Sequence, residues 1–487
     1  MHDNGALSVT SLAHLAGRST DPRVTWHAAR SSAFALSVLV LQGLVSAHAA
    51  GVPVIPGAAG FGVTTKAGRG GGIHRVTNLN ESGPGSLAAC AEASGPRICI
   101  FEVSGTIKLT KNLTVRNPFL TIAGQTAPSP GITLRGAALH VGASDVLVQH
   151  IRVRAGDDAQ GPDPGNRDSL VIDSLSRPNR ITNVVIDHCS FSWSIDETAG
   201  AYWYYDNISF LNNIVAQPLH DSIHPKGSHG FGVLWGSDAG GQVSMVGNLI
   251  SSSVDRNALS RAPVFVFVNN LVYNVGNGVE LQNYNGVTSQ NAIVGNVFLR
   301  GPDSGKNSIL LRGENEWTAG MELIAGTKVH VRDNWAEGVT SDPWSIVAVG
   351  PGLSRSNIEV GTAPVWPEGL VALKSGDVRQ VVLARSGARP ADRDSVDSRI
   401  LSDVKNGTGR IINCVSADGS TRCQLNGGGW PALAHNTRAL ELPANPSSDD
   451  DGDGYTNLEE WLHGYSAQVE GRASELQPLP PGPLRIS

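Results

Sequence analysis

Between about residues 105 and 340 the chain repeats one short phrase: apolar residues at alternate positions, then often Asn, then another apolar residue. Copies are Ile208-Ser209-Phe210-Leu211-Asn212-Asn213-Ile214, Val243-Ser244-Met245-Val246-Gly247-Asn248-Leu249 and Phe265-Val266-Phe267-Val268-Asn269-Asn270-Leu271. Later ones are Ile293-Val294-Gly295-Asn296-Val297 and Val329-His330-Val331-Arg332-Asp333-Asn334-Trp335. Alternation with period two predicts short strands. The asparagines Asn213, Asn248, Asn270, Asn296 and Asn334 are 35, 22, 26 and 38 residues apart. A floor in the low twenties with a variable excess predicts a solenoid whose rungs share a strand core and carry one loop that takes insertions. A stacked Asn at each bend can satisfy backbone groups of the turn and hydrogen-bond its counterpart one rung away. The missing long amphipathic helices argue against βαβ units, and a β-sandwich with Asn-rich hairpin turns is the competing architecture.

The period assigns the solenoid to residues 50–340. Residues 341–445 lose it and contain stretches such as Gly387-Ala388-Arg389-Pro390-Ala391-Asp392-Arg393-Asp394, so an irregular or helical flank is expected, packed on the solenoid's end and shielding its terminal strand edge. Gly51 to Arg75, rich in Gly, should run along the surface. The tail, residues 471–487, holds four Pro after Gln477 and reads as disordered. At the other end, Ser31 to Ala49 is an apolar run behind Arg23 and Arg30, closing on Ala47-x-Ala49. Residues 1–49 therefore read as a secretory signal peptide, too short in its apolar core to span a bilayer. The long lead before that run points to a later translation start. No other run is long enough to cross a membrane, so the expected protein is secreted.

Lys and Arg number 37 against 43 Asp and Glu, a net charge of −6, which supplies no basic field for nucleic acid. A monomer is expected. Five cysteines in an exported chain permit two bridges and one leftover thiol. Local pairs, Cys90 with Cys99 and Cys414 with Cys423, are the simplest arrangement. Cys189, in the strand-like Val184-Val185-Ile186-Asp187-His188-Cys189, reads as a buried free thiol. Partnership with His188 is disfavoured because strand neighbours point to opposite faces.

Charged residues recur at a similar interval. Asp168, the Asp196-Glu197 pair, Lys226 and Arg256 are separated by 29, 29 and 30 residues (168→197, 197→226, 226→256), with Arg261 close behind. If each interval is one turn of the coil, these groups form a polar stripe suited to a chain of acidic sugars bridged by a divalent metal. A solvent-facing stripe of unrelated charges is the alternative. Near the C-terminus, Asp449-Asp450-Asp451-Gly452-Asp453-Gly454-Tyr455-Thr456-Asn457-Leu458-Glu459-Glu460 matches the EF-hand loop pattern. Asp449, Asp451, Asp453 and Glu460 would supply oxygens, the Tyr455 carbonyl a further one, and Gly454 the sharp turn. With no long helix before it, this loop at 446–470 reads as a structural calcium clasp beside a short helix, Asn457 to Leu462, with a solvated acidic turn as the alternative.

A set of motifs then carries a resemblance. They are Ile55-Pro56-Gly57-Ala58-Ala59-Gly60-Phe61-Gly62, Val76-Thr77-Asn78-Leu79-Asn80-Glu81-Ser82-Gly83-Pro84-Gly85-Ser86-Leu87, Thr121-Ile122-Ala123-Gly124-Gln125-Thr126-Ala127-Pro128, Val185-Ile186-Asp187-His188-Cys189, Asp196-Glu197 and His224-Pro225-Lys226-Gly227. Over about residues 54 to 465 the chain resembles the bacterial pectate lyases of polysaccharide lyase family 1. The resemblance implies a right-handed parallel β-helix, a calcium cofactor and β-elimination of polygalacturonate. It implies Asp168, Asp196 and Glu197 as calcium carboxylates, with Asp187 a weaker candidate lying beside the site. Lys226 and Arg261 would bind substrate and Arg256 would be the catalytic base. Two departures stand out: Ala258 replaces the Pro usual in Arg-x-Pro-x-x-Arg, which puts the rigidity of that loop in doubt, and Asn166 stands where many relatives place another acid.

The chemistry is consistent with those residue types. The C5 proton of a uronate is weakly acidic and its neighbouring carboxylate carries full charge, which a calcium ion on hard oxygen ligands would neutralise. An arginine base requires a depressed pKa, and nearby cations move it in that direction, favouring activity at alkaline pH. A β-helical galacturonan hydrolase, with paired carboxylates and no calcium, and a noncatalytic polysaccharide-binding solenoid are the competing functions.

Overall fold

The computed structural model describes residues 51–473 except 237–239, 284–285, 315–319 and 417–418; the expected leader and, from residue 474 on, the expected disordered tail lie outside the described residues. Ile181–Asp187, Tyr205–Leu211, Gln242–Val246, Val264–Val268, Gln290–Val294 and Lys328–Arg332 are strands paired in parallel within a first sheet of ten. Short strands such as Ser190–Ser192 and Ile214–Ala216 build a second sheet of nine, and strands such as Glu197–Tyr202 and Phe231–Gly236 a third, also of nine. From Arg97–Phe101 onward the chain visits the three in turn, one strand each per coil, and every ladder is parallel. The result is a right-handed parallel β-helix, the hand that parallel crossovers favour.

Parallel register sets matched residues of successive coils about 4.8 Å apart, so inward side chains must lie on their own kind. Ile186, Phe210, Met245, Phe267 and Ile293 form one such stack, and Val184, Ile208, Val243 and Phe265 another, all fully buried. Trp235 fills the interior beside them, its indole N–H 3.0 Å from the Met245 sulfur.

The bend from first to second sheet explains the Asn signature. One residue must turn left-handed, and Asn212, Gly247, Asn269, Gly295 and Asp333 do so, with φ of 53°, 72°, 56°, 67° and 50°. Gly and short Asx side chains bear that conformation with least cost. The Asn that follows points inward. The Asn248 Oδ1 accepts from the Asn213 backbone N–H at 2.8 Å, Asn270 from Asn248 at 2.9 Å, Asn296 from Asn270 at 2.8 Å and Asn334 from Asn296 at 2.9 Å. Each amide nitrogen donates to a carbonyl, as Asn248 does to Phe210 at 2.9 Å. Cys189 takes the ladder position one coil before Asn213, whose Oδ1 accepts its N–H, and its buried free thiol is held protonated by desolvation.

The remaining chain covers this coil. Helix Leu87–Ala91, joined to the first sheet by the Cys90–Cys99 disulfide, sits on the N-terminal end. At the other end the coil continues past residue 340, with strand Val347–Val349 paired to Asn307–Leu311, and Trp344, Leu353 and Ile358 close it. The flank then differs from an end cap. It turns back along the side, with Trp366 and Leu370 against Val266 and Val294 of the first sheet. Helices Ser375–Arg385 and Ser395–Asn406 lay Val378, Val382, Ile400 and Val404 on Ile214, Leu249 and Leu271 of the second. Parallel strands expose apolar faces outward as well as inward, and these helices bury them. Arg154 fixes the position of the second helix through buried pairs with Asp394 at 2.5 Å and Asp397 at 2.9 Å. The Cys414–Cys423 bridge lies in the following loop. Helix Asn457–Glu470, longer than its expected Asn457–Leu462, packs Leu458 and Leu462 on Ile98 and Ile100.

Asn270→Ala would strand the buried Asn248 N–H and the Met245 carbonyl at the middle of the ladder. At about 1–3 kcal/mol per unsatisfied buried group, a loss of roughly 2–4 kcal/mol is expected, read as a lower urea midpoint with unchanged slope. A midpoint indistinguishable from wild type would show that the ladder adds nothing.

Candidate active site

The site grows from the N-terminal margin of the third sheet. Leu170 pairs with Ala199, an offset of 199 − 170 = 29 that places Asp168 beside Glu197, and the Glu197 N–H donates to Asp168 Oδ1 at 3.0 Å. Glu197 pairs with Phe231, and the next ladder, Leu234 with Leu259, has an offset of 259 − 234 = 25 that sets Phe231 beside Arg256. Asp168, Glu197, Phe231 and Arg256 therefore form one column. The expected interval of 29 residues holds for its first step. It fails at the second, where the loop between Ile214–Ala216 and Phe231–Gly236 lengthens the rung and gives the column position to Phe231. Lys226 lies before it on an exposed turn, its N–H bonded to His224 Nδ1 at 3.1 Å.

Oxygens of Asp168, Asp196 and Glu197 lie within 4.8 Å of one another. Asp168 and Glu197 are buried while Asp196 is partly exposed. Burial, and next the charge of Asp196, raise the Asp168 pKa well above the ordinary carboxylate range. The Tyr202 hydroxyl donates toward Asp168 and Glu197, at 3.2 Å to each, and its own pKa is driven up by burial and by the charges of Asp168 and Asp196. Asp196 meets His229 Nε2 at 3.1 Å, and the His229 ring stacks on His224 at 3.8 Å and 2° from parallel. Burial holds the His229 pKa down against the pull of Asp196, with the charges of His224 and Lys226 acting in the same sense as burial.

Arg256 is the cation of the column. Its backbone is left-handed, φ 59°, which turns the side chain back along the sheet. The guanidinium carbon lies 4.2 Å from the Phe231 ring centroid, and Nη1 contacts Glu197 Oε1. Burial depresses the Arg256 pKa to about 10; Asp196, Glu280 and Asp168 oppose the shift and Arg261 reinforces it. Glu280, fully buried, receives the Arg256 N–H on Oε1 at 3.2 Å and holds Arg312 through Oε2. Arg261 is oriented by Gln282, whose Oε1 accepts from Nε at 2.9 Å. In the loop between the arginines the Asn257–Ala258 peptide is cis, Ala258 is fully buried, and its carbonyl accepts from Glu280 N–H at 2.7 Å. Asn257 donates to Asn277 O at 2.9 Å. The neighbouring coil thus fixes the loop that lacks the Pro ring.

Two expectations change. Asp187 does not lie beside this cluster: it ends a first-sheet strand, where Gln149, His188 and Asn212 bind its carboxylate at 2.9, 2.9 and 3.1 Å. Asn166 is exposed and donates to Asp163 Oδ2 at 3.0 Å. The residues not foreseen are Phe231, Tyr202, His229 and Glu280. Among them only Tyr202 carried a signal, standing five residues from Glu197 and so at the far end of the same strand.

The C-terminal loop has oxygens of Asp449, Asp451 and Asp453 within 4.8 Å of one another on an exposed turn. Asp449 accepts from Gly452 and Gly454 N–H at 2.7 and 3.0 Å, and Asp453 from Tyr455 N–H at 2.8 Å. Gly454 is left-handed at φ 97°. Partial burial and the four neighbouring aspartates raise the Glu460 pKa, which places its carboxyl within their field.

No family model matches the chain. Among curated proteins it is 32% identical over 423 residues to "Probable pectate lyase C" of Aspergillus fumigatus, covering 84% of this chain and 92% of that one. It is 30% identical over 427 residues to the protein of the same name in Aspergillus flavus, covering 84% and 93%. These relatives are fungal, where a bacterial likeness was expected. Among solved structures, Jun a 1, the major allergen from cedar pollen, matches with TM-score 0.49 at 18% identity, covering 67% of this chain and 91% of that one. A pectate lyase bound to hexasaccharide matches with TM-score 0.48 at 13% identity, covering 70% and 99%.

Glu280→Ala would remove the partner of the Arg256 N–H and leave Arg312 with only Asp255, at 3.7 Å. Breaking a buried pair costs about 3–5 kcal/mol, and Arg312 is partly exposed, so about 3 kcal/mol of unfolding free energy should be lost, measured by urea. A change below about 0.5 kcal/mol, the range of neutral surface substitutions, would remove Glu280 from the support of this site.

Proposed function

The chain belongs to the pectate lyase family, and on that premise we propose that it cleaves α-1,4-linked polygalacturonate by calcium-dependent β-elimination, releasing unsaturated oligogalacturonides. The enzyme is a carbon–oxygen lyase acting on a polysaccharide. The observation that carries the finer reading is the column in which a desolvated arginine, Arg256, stands one coil beyond an aromatic ring and two beyond paired carboxylates. Membership of polysaccharide lyase family 1 and export as a monomer belong to the same reading, supported by the motifs, the apolar leader and the two disulfides.

The donor set fits calcium. Asp168, Asp196 and Glu197 offer hard carboxylate oxygens without a thiol, and the burial of Asp168 together with the charge of Asp196, which raise its pKa, is what a divalent cation would offset. Bound there, calcium would neutralise the substrate carboxylate and lower the energy of the enolate that forms at C5. Lys226 and Arg261 would hold uronate carboxylates along the face. Arg256, as the neutral guanidine, would take the C5 proton; the electron pair forms the C4–C5 double bond, the bond to the O4 leaving group breaks, and that oxygen is protonated from solvent. Burial and Arg261 act in the direction such a base needs, so turnover should rise toward alkaline pH. Preference for unesterified polymer follows, since a methyl ester has no charge to bridge a cation. The loop of Asp449, Asp451, Asp453, Glu460 and the Tyr455 carbonyl would hold a second, structural calcium at the start of helix Asn457–Glu470.

Arg256→Lys should reduce turnover on polygalacturonate by about 10²–10⁴-fold with circular dichroism unchanged, because lysine keeps the charge but not the guanidinium's shape. Activity within a few-fold of wild type would assign the proton transfer to another group. Asp196→Ala should raise the calcium concentration needed for half-maximal rate. Glu460→Ala should instead lower the melting temperature at limiting calcium and leave the saturated rate intact. The opposite pattern would exchange the roles of the two sites.

A further inference from the structure

The Tyr202 hydroxyl stands between two of the three carboxylates, and the strand is built to bring it there. In Glu197–Tyr202, Ala199 and Ala201 face the core, so Gly200 and Tyr202 share the outer face of the third sheet. Ladder partners on both sides, Asp173 in the coil before and Gly236 in the coil after, hold the Tyr202 backbone. From that base the ring runs back along its own strand, over Gly200, toward the carboxylates at the strand's start. The hydroxyl ends 3.2 Å from Asp168 Oδ2 and 3.2 Å from Glu197 Oε2. The other oxygen of each acid is engaged elsewhere, Asp168 Oδ1 by the Glu197 N–H and Glu197 Oε1 by Arg256. Gly200 supplies the clearance that this path needs. A Cβ built on it would lie 2.8 Å from the Tyr202 hydroxyl oxygen and 3.0 Å from Cζ. Its φ is not left-handed, so no backbone requirement accounts for the glycine.

We propose, on the calcium reading above, that Tyr202 is the positioning residue of the calcium site: its hydroxyl fixes the Asp168 and Glu197 carboxylates for the ion, and Gly200 is the residue that admits it. A phenol suits this task. It is a neutral donor, and each carboxylate, with about four lone-pair sites, keeps most of them open to a cation. A lysine or arginine in its place would bind the same oxygens and repel the ion as a like charge. Asp196, partly exposed, is met instead by His229 at 3.1 Å. The hydroxyl therefore fixes the two buried acids and leaves the third to adjust. Ligating carboxylates are commonly oriented by hydrogen bonds of this kind, and loss of such a partner weakens metal binding by about 10- to 100-fold.

Calcium ion alone, titrated calorimetrically into the full chain without substrate, should show an equivalent that Asp196→Ala weakens or removes, which identifies it as the column's. In Tyr202→Phe, which keeps the ring and removes only the oxygen, that equivalent should weaken about 10- to 100-fold. Any equivalent that Asp196→Ala leaves alone should keep its affinity in Tyr202→Phe, an internal control for the fold. Gly200→Ala, with the hydroxyl present but displaced, should weaken the column's equivalent by a similar factor. The double variant should lose no more than either, because both act through one contact. Wild-type affinity of the column's equivalent in Tyr202→Phe overturns the inference and leaves the calcium reading standing. An equal loss from every equivalent in that variant marks a merely structural role and overturns it as well. A wild-type titration that Asp196→Ala leaves unchanged overturns both readings together.

Discussion

Parallel stacking of coils, with matched residues about 4.8 Å apart, is the constraint from which both the interior and the active face follow. Indoors it turns each inward position into a column of like side chains, Ile186 on Phe210 on Met245, and converts one bend geometry into a continuous amide ladder from Asn213 to Asn334. Outdoors it brings Asp168, Glu197, Phe231 and Arg256 into a line although they are scattered over some ninety residues of chain. Each coil adds one member. The line is therefore as rigid as the ladders beneath it.

That rigidity sets the electrostatics. Asp168, buried and bonded to Tyr202 and the Glu197 N–H, cannot move away from the charge of Asp196, and the Arg256 guanidinium is held over the Phe231 ring and against Glu197, on a backbone whose N–H is bonded to Glu280. The consequence is a pair of opposed shifts in one column, an acid held up by burial and a neighbouring acid, and an arginine held down by burial and a neighbouring arginine. Perturbations of this kind gather at functional sites. Here they arise from groups that the fold stacks whatever their charge.

The strands and the Asn ladder were legible in the sequence because period two and the turn residue repeat in every coil. So were Asp168 and Glu197, which are joined by a ladder without insertion. Lys226 was misplaced in the stripe because the loop ahead of Phe231–Gly236 makes that rung 231 − 197 = 34 residues long and the next only 25, and an average near thirty conceals both. Phe231 stayed hidden for the same reason. Asp187 was placed near the site by its motif, yet its strand lies in a different sheet. The helices of the flank were not distinguished because Ser375–Arg385 has only Val378, Val382 and Leu383 buried, a stripe too thin to read before knowing what it covers. The long helix Asn457–Glu470 was cut short at Leu462 because Gly464 and Ser466 lower its helix propensity, which packing on Ile98 and Ile100 overrides.

The central claim is that the Arg256 column removes the C5 proton of a uronate with calcium bound nearby. The most direct measurement is the ultraviolet absorbance of unsaturated product ends, followed alongside new reducing ends, when purified protein acts on polygalacturonate with calcium and with excess chelator. Both signals should rise together with calcium and both should cease with chelator. Reducing ends without unsaturation, or cleavage that the chelator leaves untouched, would contradict the account.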